Sequence, residues 1–232
     1  MKVAIMQPYF LPYIGYFQLI SEADVFVVYD NIKYTKKGWI NRNRLLLNGK
    51  DALFTLPLAS ASDTLDIRDR RIAPGFDRSS LLNQFRGAYA KAPQFASVFP
   101  WLSGLVAQEG DNLFDYILES ILKVRSLLEL GAEVIRSSAI SHEPNLSGKD
   151  RVLGICRSLG ASTYVNPIGG LDLYDRTEFR DHGVDLRFLR SGPVTYPQFG
   201  GTFIPSLSIL DVLMFNPLPE VRRHVRETYE LV

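Results

Sequence analysis

The first thirty residues constrain the fold most. A short apolar run, Val3-Ala4-Ile5, leads through the turn Gln7-Pro8-Tyr9-Phe10-Leu11-Pro12 into a helical segment opening at Tyr13-Ile14-Gly15-Tyr16, and then to a second apolar run from Val25 to Tyr29. Strand, turn, helix and strand in that order form a β-α-β unit, so the two strands are expected to run parallel with the helix packed over one face. The unit also places Gln7 at the carboxyl end of the first strand, where open α/β sheets bind their ligands. Gly15 lets a backbone approach a ligand closely at the helix start.

The alternation returns in the carboxyl half. Ala132 to Ile135 reads as a strand, Lys149 to Leu159 as a helix with Ser147 as cap and Gly160 as stop, and Ser162 to Val165 as a strand; Leu171 to Asp181 follows as a helix and Val184 to Leu189 as a strand. Two closing helices are expected over Ser206 to Phe215, capped by Ser206, and over Pro219 to Tyr229. Between the halves, Asn48-Gly49 joins two β-compatible runs and predicts a hairpin. Residues 59 to 80 read as a charged surface segment. Leu113 to Leu128 has helical spacing, with Asp111 or Asn112 as cap and Gly131 as stop. The expected whole is one α/β domain over residues 1–232, a doubly wound parallel sheet with a helical insertion at about 59–131.

A chain of 232 residues that is 46% hydrophobic can bury a large core. Its formal net charge of +1 gives no global attraction to nucleic acid or to an anionic membrane. Residues 1 to 20 lack the pattern of a signal peptide, and no run approaches the roughly 20 apolar residues that span a bilayer. The single cysteine, Cys156, reads as a buried thiol and fits a reducing cytoplasm.

Several residues could carry chemistry. Gln7 and the helix start at Tyr13 to Tyr16 offer an amide and free backbone N–H groups to an anion; the alternative is a turn packed by aromatic rings. Asp30 ends the second strand, and Lys33, Lys36, Lys37, Arg42 and Arg44 follow among Tyr34 and Trp39, a set that suits a phosphorylated sugar or base stacking on an indole, or else a solvated face. Asn166-Pro167-Ile168-Gly169-Gly170, with Asp172 beyond, is either a ligand-approach turn or a tight structural one. Ser208 and Asp211 on an apolar helix require polar partners, so both are candidates beside Ser206. Asp30, Asp172, Asp211 and His142 are the possible general bases, and the three histidines have no metal-ligand spacing, so no metal is expected.

The opening segment resembles the adenylate-forming nucleotidyltransferase superfamily, with Tyr13-Ile14-Gly15-Tyr16 where that group carries His-x-Gly-His and Ala23-Asp24 leading into the second strand. A closer resemblance, to the WbqC family of bacteria, rests on four motifs. These are Gln7 to Tyr16, Asp30 to Asn43, Tyr164 to Gly170, and Tyr196-Pro197-Gln198 with Pro205 to Asp211. It implies a transferase of surface-polysaccharide biosynthesis acting on an activated sugar or small metabolite, with glycine transfer as the suggested chemistry. The alternatives are a non-catalytic nucleotide- or sugar-phosphate-binding protein and a nucleotidyltransferase with tyrosines for histidines. In the transferase picture Gln7, Asp30, Lys36 and Lys37 act on the reaction. Tyr9, Tyr13, Gly15, Tyr16, Lys33, Trp39, Arg42, Asn166, Gly169, Gly170, Asp172, Ser206, Ser208 and Asp211 bind the substrate or its phosphate. ATP or another nucleotide is the implied cofactor; a phosphorylated small molecule is the implied partner, and tRNA the one nucleic acid that could serve, as an acyl donor.

Overall fold

The computed structural model describes residues 1–141 and 146–232. β1 (Lys2–Met6), α1 (Ile14–Glu22) and β2 (Val25–Val28) form the expected unit, with β1 and β2 parallel and Val3 opposite Val25. Further along come the hairpin strands β3 (Arg42–Leu47) and β4 (Lys50–Thr55), then α2 (Arg78–Tyr89), α3 (Phe95–Val106), α4 (Leu113–Leu127) and β5 (Glu133–Arg136). The chain closes with α5 (Gly148–Leu159), β6 (Thr163–Pro167), α6 (Arg176–Asp181), β7 (Asp185–Ser191), α7 (Ile209–Phe215), α8 (Leu218–Glu227) and β8 (Tyr229–Leu231).

The six-stranded sheet has the order β5-β2-β1-β6-β7-β8, in which only β8 is antiparallel to its neighbour. Counting sheet strands along the chain, this is third, second, first, fourth, fifth, sixth, a Rossmann-like layout whose order reverses between β1 and β6. Side chains alternate across the sheet. Val3, Ile5, Val25, Val27, Tyr164, Leu186 and Phe188 join Ile155, Cys156 and Phe179 in one core, while Ala4, Phe26, Val28, Val165 and Leu189 join residues of α1, α4, α7 and α8 in the other. Burial on both faces is why these strands read as nearly unbroken apolar runs.

Several boundaries differ from expectation for local reasons. The stretch expected as one helix from Leu171 is a 3-10 turn (Ile168–Leu173) followed by α6, because the Asp175 carboxylate takes the amides of Thr177 at 2.6 Å and Glu178 at 3.1 Å and starts the helix there. Ser208, not Ser206, caps α7, its hydroxyl accepting from Leu210 N at 3.2 Å; Ser206 lies outside with φ +57°. The last helix stops at Glu227, and Tyr229 begins β8 against β7. α4 is capped by Asn112 but ends before Gly131, with Glu129 at φ +55° turning the chain. Ser147 makes no side-chain cap bond, whereas Gly160 does stop α5 at φ +66°. Residues 59 to 80 are more than surface: Ile67, Arg70 and Ile72 are buried, and Ile67 N and Arg68 N donate to Ile32 O and Asp30 O at 2.9 and 3.0 Å.

The hairpin turns at Asn48 and Gly49, both at positive φ as an Asn-Gly turn of this kind requires. α1 is tied to α8 by the buried Gln18, whose amide donates to His224 O at 3.1 Å and Thr228 O at 2.8 Å.

Aromatic packing gives the fold a measurable signature. All eleven tyrosines have phenol pKa values raised above the ordinary 10.0, with burial the largest cause in every case. Above pH 10 the folded phenols retain protons that an unfolded chain releases, so stability falls as pH rises through that range. An alkaline titration should therefore show the phenolate absorbance appearing together with loss of helical circular dichroism; most phenols ionising near pH 10 with helix signal intact would contradict this packing.

Candidate functional site

Gln7 follows β1 directly, Asp30 follows β2 by two residues and Gly169 follows β6 by two, so all three stand at the carboxyl ends of adjacent parallel strands. Two clefts open among the loops of this end, and neither is lined by Gln7, Asp30 or Gly169.

The first cleft, of about 320 Å³, lies between Tyr9, Tyr13, Trp39, Asn43, Arg44 and Ser206. Its floor is the turn after β1, which has no regular hydrogen bonding of its own and is held from outside. Asn43 Nδ2 donates to Phe10 O at 3.4 Å and Leu11 O at 3.1 Å, Ser208 Oγ donates to Leu11 O at 2.7 Å, and Ile209 N donates to Pro12 O at 2.8 Å. These bonds hold Leu11 at φ +46°, a costly conformation for a branched side chain. Arg44 forms one wall: its guanidinium lies 5.5 Å from the ring centre of Trp39, donates to Ser206 O at 3.1 Å and approaches Asp51 at 3.4 Å. Trp39 is 42% exposed, so its indole offers an open face. Burial raises the phenols of Tyr9 and Tyr13, which are therefore neutral hydrogen-bond donors at physiological pH. An indole face, two phenols and a guanidinium suit a ring-bearing ligand that carries an anionic group.

The second cleft, about 440 Å³, opens on the α5 side, with Tyr29, Asn31, Lys33, Asp66, Arg151 and Tyr174 around it. Arg151 donates to Asn31 O at 3.0 Å and also to Asn31 Oδ1, with its guanidinium 5.2 Å from the Tyr29 ring centre. Lys33 is exposed on its rim.

Other expected site residues are used inside the protein. Tyr16 is buried, and its hydroxyl donates to Gln7 O at 3.0 Å, so it supports the turn and cannot reach a ligand. A Cβ on Gly15 would run into the Tyr13 ring and come within 2.7 Å of Ser191 Oγ, so this glycine makes room for Tyr13 and for packing against β7. A Cβ on Gly170 would run into the side chain of Asn166, itself buried and accepting from Tyr164 OH at 3.0 Å. Asp30 is 2% exposed, accepting from Ser137 Oγ at 2.8 Å, Ser138 N at 2.8 Å and Ser138 Oγ; it clasps the ends of β2 and β5 together and corrects the expectation of a free acid or base. Asp211 likewise accepts from Tyr89 OH at 3.0 Å, Tyr196 OH at 2.8 Å and Gln198 Nε2 at 2.6 Å, and burial raises its pKa despite those donors. Ser208 is a cap and tether within the core.

On the surface, Lys36 pairs with Asp63 at 2.8 Å, Arg42 Nε donates to Gly38 O at 3.0 Å, and Lys37, Gly169 and Asp172 are exposed outside both clefts. Gln7 is half-buried. His142 lies outside the described residues. Among the described residues, no group of three His, Cys, Asp or Glu side chains could hold a metal ion. No helix there is long and apolar enough to cross a membrane. Asn43, Tyr29 and Arg151 are not among the expected site residues. Asn43 had a signal, a polar side chain entering an apolar strand; Arg151 had none beyond its place in the first turn of a helix.

A sequence model of the WbqC-like protein family matches residues 7–223. The uncharacterized protein Rv1507c of Mycobacterium tuberculosis (strain ATCC 25618 / H37Rv) is 27% identical over 231 residues, spanning 97% of this chain and 99% of its own.

The clasp at Asp30 has a stability consequence. Hydrogen bonds to a charged group contribute about 1.5–3 kcal/mol each, so Asp30→Ala should lower the free energy of unfolding by at least that much in urea titration. Unchanged stability would return Asp30 to the list of free carboxylates.

Proposed function

The chain belongs to the WbqC-like protein family, and from that premise we propose that it is a transferase whose activated-sugar or similar phosphorylated substrate sits in the first cleft. One observation carries the reading: Tyr9 and Tyr13 from the turn after β1, Trp39 from the loop after β2 and Arg44 from β3 converge on one opening beyond the carboxyl ends of a parallel sheet. The indole and phenols suit the faces and hydroxyls of a sugar or base, and Arg44 supplies the charge for a phosphate. The second cleft, with Lys33 and Arg151, offers a place for a second reactant, as group transfer requires. Aminoacyl transfer, with glycine as the group, is the chemistry the family resemblance suggests, and ATP or another nucleotide would supply the activation.

The nucleotidyltransferase frame is part of this reading as ancestry. A strand order that reverses beside β1, with Tyr13 at the start of α1, fits it. Nucleotidyl transfer itself fits less well, since Tyr16, in the place of the second histidine, is consumed by Gln7 O. A second reading, ligand binding without catalysis, draws on a specific observation: Asp30 and Asp211, the buried carboxylates among the described residues, are each held by three donors inside the protein and line neither cleft.

The test is incubation of purified protein with ATP, amino acids and a panel of amino-sugar nucleotides, with tRNA-bound and carrier-bound acyl donors in parallel, followed by mass spectrometry for an acylated sugar. A product is expected; ligand binding with no product across the panel selects the binding reading. In the same panel, Trp39→Ala and Arg44→Ala should each raise the Kd of the nucleotide sugar by roughly tenfold or more, the loss expected for a charge-assisted bond or an aromatic stack. Lys36→Ala with Lys37→Ala should have a smaller effect, because neither lysine lines the cleft. The reverse ranking would move the phosphate site to the exposed loop.

A further inference from the structure

The Asp211 carboxylate belongs to a closed circuit of hydrogen bonds that passes through the wall of the first cleft. From Oδ2, Gln198 Nε2 lies at 2.6 Å; the same amide receives Ile204 N on its oxygen at 2.8 Å and donates to Ile204 O at 3.2 Å. Two residues on, Ser206 O receives Arg44 Nη2 at 3.1 Å. Arg44 lies on β3 two residues before Leu46, whose N–H donates to Tyr89 OH at 3.1 Å, and that hydroxyl donates to Asp211 Oδ1 at 3.0 Å. Each donor in this ring has one acceptor direction that fits, since the carboxylate only accepts and the Tyr89 hydroxyl both accepts and donates. Both cleft walls, Arg44 on the strand and Ser206 on the connecting segment, are thus linked to one buried group 0% exposed to solvent, beside the direct bond from Ser208 N to Arg44 O at 2.9 Å.

The segment it holds needs such a fixture. Residues 192 to 207 between β7 and α7 have no helix or strand, and Phe199, Gly200, Gly201 and Ser206 all take positive φ, at +41°, +78°, +120° and +57°. Phe199 and Ser206 bear the steric cost of that conformation as non-glycine residues. Tyr196, stacked on Phe215 with ring centres 6.1 Å apart, brings its hydroxyl to Asp211 at 2.8 Å as a second tether.

We propose that Asp211 is a positioning residue: without touching the ligand, it holds residues 196–206 against β3 and so keeps Arg44 over Trp39 in the first cleft. The link to ligand affinity rests on the function proposed above, while the geometric part stands on the protein alone. The two parts can be tested separately. In a Trp101→Phe background Trp39 is the sole indole, and its quenching by acrylamide reports how well Arg44 covers it; hydrogen exchange reports the segment. Gln198→Ala cuts the amide tether of the segment and leaves the Tyr196 and Tyr89 bonds, and Asp211→Asn weakens all three while preserving volume. Each should raise exchange across residues 193–205 and increase Trp39 quenching, with the sheet strands still protected. Ile155→Val, a destabilising change on the opposite face, should alter neither signal. Wild-type exchange and quenching in both folded variants would overturn the proposal, and should one variant fail to fold, the other decides. In the ligand arm, nucleotide-sugar affinity should fall at least fivefold in Gln198→Ala. Equal affinity in variant and wild type removes the link to the cleft, whereas a wild type that binds no nucleotide sugar counts against the transferase reading and leaves exchange and quenching to decide the positioning role.

Discussion

The structure depends on the central position of β1. This strand is hydrogen-bonded on both edges, to β2 and to β6, and is buried on both faces, so the chain leaving it cannot extend the sheet and must turn over its carboxyl end. The polar groups of that turn then require partners from elsewhere. They find them in Ile40, which receives Phe10 N at 2.9 Å, in Asn43, and at the start of α7. One short strand therefore gathers the hairpin and the last third of the chain around its end, and the first cleft is the space they leave.

Buried carboxylates do much of this fastening. Asp30 ties the ends of β2 and β5, and Asp211 ties α7 to α2 and to the irregular segment before it. A buried carboxylate that accepts from three donors stabilises a geometry, and its burial leaves little of it to meet a ligand. Polar residues at strand ends thus divide into those that hold the loops and those that face the opening. The second kind here consists mostly of aromatic rings and arginine.

That division explains what was legible in the sequence. The parallel frame was, because Val3-Ala4-Ile5, Val25 to Val28 and Tyr164-Val165 alternate between two cores, and the hairpin was, because Asn48-Gly49 has one turn to form. The start of α6 was not: Leu171 and Leu173 continue a helical pattern, and only the side chain of Asp175 interrupts it. β8 was hidden because three residues after a helix carry too little pattern to distinguish strand from a further turn. Of the residues expected to bind a ligand, Tyr9, Tyr13, Trp39 and Ser206 line one cleft. An acid after a strand or on an apolar helix looks the same from sequence whichever way it points, so Asp30 and Asp211 are expected at a ligand but are buried instead. Arg44 was counted among the cations, but its alignment over Trp39 depends on Ser206, 162 residues away.

The pair of tyrosines at the start of α1 carries the remaining step. A histidine there could become a cation near neutral pH; a phenol whose pKa burial has raised cannot become charged in that range and offers one donated hydrogen bond. Of the two, Tyr16 spends that bond inside the turn, which leaves Tyr13 alone at the surface. Positive charge for an anionic ligand must then come from a residue outside the helix start, and in the first cleft that residue is Arg44. With tyrosines at the start of α1, the positive charge lining the first cleft comes from β3, and its placement depends on contacts between β3 and the segment before α7 rather than on a local helix.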